Sequence, residues 1–114
     1  MVPAPEGTFL GRVHSGALQL PGTIHQYCLA RGWTLMRVLV LDDHRLELRP
    51  VLPDEDLDGD DGDVSSLCGD GKLWIPKTAR NLVHLAEQSV MVRVEGDCVR
   101  IYTRRIFETL GFRP

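Results

Sequence analysis

No run of apolar residues among the 114 of this chain approaches the roughly 18 that a membrane-spanning helix requires, so no membrane partner is expected. The opening MVPAPEGTF has no basic segment followed by an apolar one and does not read as a secretory signal, which makes the cytoplasm the expected location. The three cysteines, Cys28, Cys68 and Cys98, are odd in number, and none sits in a C-x-x-C pair. That argues against a disulfide framework and a zinc knuckle, and leaves three small reduced residues expected in the core. Four histidines (His14, His25, His44, His84) lack H-x-x-x-H or H-E-x-x-H spacing, and neither G-x-S-x-G nor a phosphate-cradling glycine loop occurs. Without such constellations the chain does not read as an enzyme, and no cofactor or metal is expected.

What the chain does have is the same unit twice. Gly16-Ala17-Leu18-Gln19-Leu20-Pro21 returns as Gly71-Lys72-Leu73-Trp74-Ile75-Pro76, a spacing of 55 residues from Gly16 to Gly71, with Phe9 and Val13 falling on Val64 and Cys68. A unit this short cannot bury its own apolar face, so both copies are expected to share one core. The length is that of a single domain, sufficient to bury about two-thirds of the surface its unfolded chain exposes. The expected organisation is therefore one domain over 1–114: repeat one at about 8–50, a linker at about 51–63, and repeat two with a C-terminal helix at about 64–114.

Each copy reads as strand, strand, short helix, strand, strand. Phe9, Gly11 and Val13 alternate with Leu10, Arg12 and His14 up to the turn residues Ser15-Gly16, and Leu18 and Leu20 then oppose Gln19. Pro21 stops that strand and suits a helix start, Ile24, Tyr27 and Cys28 have helical spacing, and Gly32 is placed to end the helix. Residues 35–41 and 46–49 form a hairpin pattern around Asp42-Asp43-His44. In it Leu39 and Leu41 alternate out of phase with Val38 and Val40, which would leave apolar side chains on the surface unless a further copy covers them. In the second copy Ala79, Leu82, Val83 and Ala86 form a helical stripe. Val90, Val92 and Val94 lead through Gly96-Asp97 to Val99 and Ile101, with Arg100 and Tyr102 on the opposite face. Arg104 to Leu110 has the pattern of a terminal helix, and its aromatic neighbours are expected to cover the outward-pointing Trp74. Trp33 is expected at the edge of the core.

The net charge of −3 conceals a segregation. Seven of the sixteen acids (Asp54, Glu55, Asp56, Asp58, Asp60, Asp61, Asp63) fall in one stretch, leaving nine against 13 bases elsewhere. Asp54 to Gly59 fits the opening of a calcium loop, but Ser65 stands where the bidentate Glu belongs, so the stretch reads as a solvated acidic linker. Residues 64–114 hold eight bases and five acids and are the more basic half. Within them Arg93, Arg100, Arg104 and Arg105 form a group open either to lining a groove or to pairing with Glu87, Glu95 or Glu108.

Gly71-Lys72-Leu73-Trp74-Ile75-Pro76 followed by Thr78-Ala79-Arg80 resembles the core of the AbrB/MraZ/SpoVT group of swapped-hairpin DNA-binding proteins, a G-R-hydrophobic-x-I-P segment leading to a short helix and a hairpin. Phe9-Leu10-Gly11 and residues 88–108 are similar to the start and the closing hairpin and helix of MraZ. The resemblance implies an α+β, β-rich fold: a swapped-hairpin-type β-barrel of two pseudo-symmetric repeats with short helices. It further implies a DNA-binding transcriptional regulator that contacts double-stranded DNA through basic loop-helix edges and acts as a homo-oligomer. The edge in the second copy is Lys72, Lys77 and Arg80; the first-copy counterparts are Arg12, His14 and His25. Ala17 stands opposite Lys72, and Val13 and Cys68 occupy the places of that family's aspartates. These departures favour the alternative, a protein-interaction module: an antitoxin-like partner binder or a family member without DNA contact.

Overall fold

The structure, a computed structural model, describes residues 4–51, 63–83 and 89–104. Among them two passes of the same element order follow one another. The first is β1 (Phe9–His14), β2 (Ala17–Gln19), α1 (Gly22–Arg31), β3 (Leu35–Asp42) and β4 (Arg45–Pro50). The second is β5 (Asp63–Ser66), β6 (Lys72–Trp74), α2 (Lys77–Leu82), β7 (Ser89–Glu95) and β8 (Cys98–Thr103).

Local chemistry accounts for the boundaries. Pro21 and Pro76 stand at equivalent positions with φ of −57° and −55°, ending β2 and β6 and opening the helices; their carbonyls accept the His25 and Arg80 N–H groups at 2.9 and 3.0 Å. Gly32 caps α1 in the left-handed conformation, φ 73°, which lets Trp33 N–H reach the Cys28 carbonyl at 2.8 Å. A bulge between Val40 and Asp42 turns the end of β3 outward, so Val40, expected inside by alternation, is exposed together with Leu41.

The eight strands form one antiparallel sheet in the order β5-β3-β4-β8-β7-β1-β2-β6. Its two ends come together where Leu67 bridges Leu73 and Cys68 N–H donates to the Lys72 carbonyl at 2.8 Å, so the sheet is a nearly closed barrel. Exchanging each element with its counterpart, β1 with β5 through β4 with β8, leaves this cyclic order unchanged. The first strand of each half pairs with the hairpin of the other: β1 with β7, β5 with β3. One core draws on both halves, with Leu18, Ile24, Met36, Leu46 and Leu48 beside Leu73, Ile75, Val90, Val92, Val99 and Ile101.

Three expectations about individual residues change. Cys68 is exposed, whereas its counterpart Val13 is buried, so only Cys28 and Cys98 are interior thiols. Tyr102 lies on the outer face with Arg100 yet is buried, its hydroxyl donating to Glu95. Trp74 is 54% exposed. Trp33 is buried as expected, edge-on to Tyr27 at 5.5 Å. The acidic linker, the helical stripe beyond Val83 and the terminal helix beyond Arg104 lie outside the described residues, and none of the described helices is long and apolar enough to cross a membrane.

Candidate functional site

The two halves meet side by side at β2 and β6. Because Val13, Leu18 and Leu73 point into the core, period-2 alternation sends their strand neighbours out. The register then lines these up in two rows. Arg12, Gln19 and Lys72 are mutual partners across β1, β2 and β6, and His14, Ala17 and Trp74 form the next row. Arg12, His14, Ser15, Ala17, Gln19 and Lys72 surround an open groove of about 500 Å³. Thus Arg12 and His14 of the first copy and Lys72 of the second, 60 residues apart in sequence between Arg12 and Lys72, share one surface.

The backbone here is two-fold symmetric. Leu20 N–H donates to the Gly71 carbonyl at 3.0 Å, and Ile75 N–H to the Gly16 carbonyl at 2.9 Å. Gly16 and Gly71, at φ +83° and +89°, each sit beneath side chains of the opposite half. Over Gly16 lie the Trp74 ring and the Arg80 guanidinium; over Gly71 lie the Gln19 amide and the His25 ring. The side chains break the symmetry: Gln19 matches Trp74, His25 matches Arg80, and Ala17 matches Lys72.

The expected cations divide by role. Lys72 projects from β6, and its ammonium, 3.9 Å from the Asp70 carboxylate with both side chains well exposed, is only weakly held. Asp70 also shapes the turn, accepting Lys72 N–H at 3.2 Å and, through its carbonyl, the Gln19 amide at 2.8 Å. Lys77 is exposed at the first position of α2. Arg80 does not project: its Nε donates to the Ile75 carbonyl at 2.9 Å, and its guanidinium stands 5.0 Å from the centre of the Trp74 ring, holding the indole in place on the same face as Lys72. His25 is half-buried, and its Nε2 has no hydrogen-bond partner among the described residues.

Of the other basic group, Arg93 and Arg100 form ion pairs, and Arg105 lies outside the described residues. Arg93 and Arg100 reach Glu95 at 3.7 and 3.5 Å, a pairing the sequence allowed, and Arg100 also reaches Glu47 at 3.3 Å, which it did not suggest. Burial, and next the hydrogen bond to Glu95, push the Tyr102 phenol up to about 12. Glu47 is an acid only 3% exposed. Its signal was the alternation Arg45, Glu47, Arg49, which puts an acid between two bases on one strand face.

No protein-family model matches the chain, and no curated protein matches it either.

Proposed function

We propose that the protein is a DNA-binding regulator of the AbrB/MraZ type that meets double-stranded DNA with its β1–β2–β6 face. One observation carries this reading: cations from both copies converge on a single open groove across the β2–β6 seam. On it, Arg12 and Lys72 neutralise phosphates, and Lys77 extends the positive edge along α2. Arg80 acts through Trp74, which it holds outward, and His14 and His25 supply further contacts. A strand order unchanged by exchanging the halves, with each first strand on the other half's hairpin, supports a swapped-hairpin barrel closed within one chain. Exposed Leu10, Leu29, Val40 and Leu41 support assembly into a homo-oligomer, acting on DNA in the cytoplasm.

The test is fluorescence anisotropy of a labelled duplex between about 50 and 200 mM salt. Binding weakens with salt, and Arg12→Ala with Lys72→Ala lowers the log–log slope by about two, one unit for each lost phosphate contact. Binding that is absent, or whose slope is the same in the double variant, refutes the reading.

A second reading, a protein-interaction module, is favoured by Trp74, since tryptophan is among the residues enriched at the anchor positions of protein interfaces and this one is outward and held by Arg80. It predicts that Trp74→Ala abolishes capture of a protein partner while duplex binding is absent in the wild type.

A further inference from the structure

Opposite the β2–β6 seam in the cyclic strand order, β4 pairs with β8, and a second open cleft of about 660 Å³ lies there. Its size falls within the roughly 300–1,000 Å³ of small-molecule sites. Three guanidiniums from three elements border it: Arg31 at the end of α1, Arg49 on β4 and Arg100 on β8.

Two of the three are aimed by one buried carboxylate. Glu47 accepts from Arg49 at 3.0 Å on Oε2 and from Arg100 Nε at 3.3 Å on Oε1, so each guanidinium is fixed by one edge. The third, Arg31, lies over aromatic neighbours, its guanidinium carbon 5.1 Å from the centre of the Trp33 ring and 5.9 Å from that of Tyr27. Among the described residues its one carboxylate neighbour, Asp97, is 3.9 Å away and almost wholly exposed, a contact that water screens. Among the described residues, most N–H donors of Arg31 and Arg49 therefore have no partner and are open to a ligand. Trp33 and Pro50 add apolar wall. Cys98 brings no negative charge, because burial, helped by Glu47, pushes its thiol up to about 11.

The geometry points to this cleft as a binding site for a small organic anion, a carboxylate or phosphate on a flat apolar body. Arg31 and Arg49 hold the anionic group, Arg100, paired with Glu47 and Glu95, closes the wall beside them, and the apolar body lies against Trp33 and Pro50. The site stands independently of the nucleic-acid reading, since it shares no residue with the β1–β2–β6 groove.

Two tryptophans allow the test in one sample: Trp33 borders the cleft, and Trp74 reports the opposite face. The indole N–H signals of the ¹⁵N-labelled full chain, assigned with Trp74→Phe, are followed while phenyl phosphate, benzoate or inorganic phosphate is added at constant ionic strength. Phenyl phosphate or benzoate shifts the Trp33 signal saturably and leaves Trp74 in place, and whichever of the two acts identifies the anionic group. Arg31→Ala with Arg49→Ala, both exposed positions, weakens that midpoint about tenfold or more. Arg49→Lys, which keeps the charge and loses the fork, falls between. No saturable Trp33 shift from either organic anion overturns the proposal, and so does one that survives the double substitution. Inorganic phosphate acting as strongly as phenyl phosphate overturns the apolar part of the site.

Discussion

The two glycines of the β2–β6 seam share a backbone conformation but not their surroundings, and this makes Gly16→Ala and Gly71→Ala a matched pair. An L-residue at φ +83° or +89° costs about 1–2 kcal/mol at either position. The added methyl then differs in what it meets. At position 16 it would lie 2.8 and 2.9 Å from two carbons of the Trp74 ring and 3.0 Å from the Arg80 guanidinium carbon. The ring is rigid, so it must swing away, losing the Arg80 stack, about 0.5–1 kcal/mol, and loosening the Arg80–Ile75 hydrogen bond, about 1 kcal/mol. At position 71 the closest atom, 2.7 Å away, is the amide nitrogen of Gln19, the end of a flexible side chain. Its displacement sacrifices the bond to the Asp70 carbonyl, worth about 1 kcal/mol, and His25 at 3.3 Å has to give only slightly.

Gly16→Ala therefore costs about 2.5–4 kcal/mol and Gly71→Ala about 2–3 kcal/mol. In urea denaturation the first shows the lower midpoint at an unchanged slope. In the Trp74→Ala background the excess at position 16 disappears, and Gly16→Ala costs only its backbone share of about 1–2 kcal/mol. A larger loss for Gly71→Ala than for Gly16→Ala would refute the reasoning. So would a double-mutant cycle in which position 16 and Trp74 show no coupling, since the close approach would then not set the cost.

Three further outcomes follow from the same geometry. Cys28 and Cys98, buried and with thiols raised to about 11, resist a disulfide-exchange reagent at pH 8, whereas exposed Cys68 reacts at once; two or three rapidly reacting thiols in the folded chain would contradict this burial. The Arg45 side chain, bonded to Asp42 at 2.7 Å, holds that carboxyl below its usual range, so the pair stabilises the fold above the unfolded value of about 3.9 and the benefit is lost as pH falls through the folded value. The melting-temperature gap between wild type and Asp42→Asn accordingly closes from pH 5 downward, and a gap constant to pH 2.5 would rule the linkage out. Glu47→Ala removes the carboxylate beside Arg49 and leaves Arg100 with Glu95 alone, but water reaches both guanidiniums, so the loss is about 2 kcal/mol, less than the roughly 3–5 kcal/mol for stranding a buried charge, and a thermal melt unchanged from wild type would exclude an anchoring role.

Much of the fold was legible because its signals are local. Alternation in β1 and β7, the prolines before each helix and Gly32 after α1 specify elements, and the repeated hexapeptide makes them equivalent in pairs. Which strands pair between the halves was not legible from periodicity, since a strand's pattern says which face is buried and nothing about its neighbour. For that reason Arg12 and Lys72 read as members of two separate clusters, although the β1–β2–β6 register sets them in one row. Arg80 misled for a related cause: its position predicts a surface cation, but only the folded seam supplies the Ile75 carbonyl and the Trp74 ring that claim it. Outer-face residues failed similarly. Glu47 and Tyr102 point away from the core by alternation, yet neighbouring strands cover both, a layer of burial that period-2 reasoning does not contain.

The duplication also explains why the two faces on the barrel's approximate axis can differ so much in chemistry. The shared element order constrains the backbone at β2–β6 and at β4–β8, because each of these seams pairs a strand with its own counterpart. It does not constrain outward side chains, each of which is encoded twice and free to diverge once it leaves the core. The core retains the symmetry, with Leu18 matching Leu73 and Leu20 matching Ile75, all buried. The surface has lost it, with Ala17 against Lys72, Gln19 against Trp74 and Leu46 with its outward neighbour Glu47 against the Ile101–Tyr102 pair. In a symmetric homodimer any substitution at the seam appears twice; here each residue can be altered alone, so one backbone presents Lys72 and Trp74 on β6 beside Ala17 and Gln19 on β2. On the proposed reading, this lets a single chain contact a duplex with unlike halves, the property that a duplicated unit gains over two identical ones.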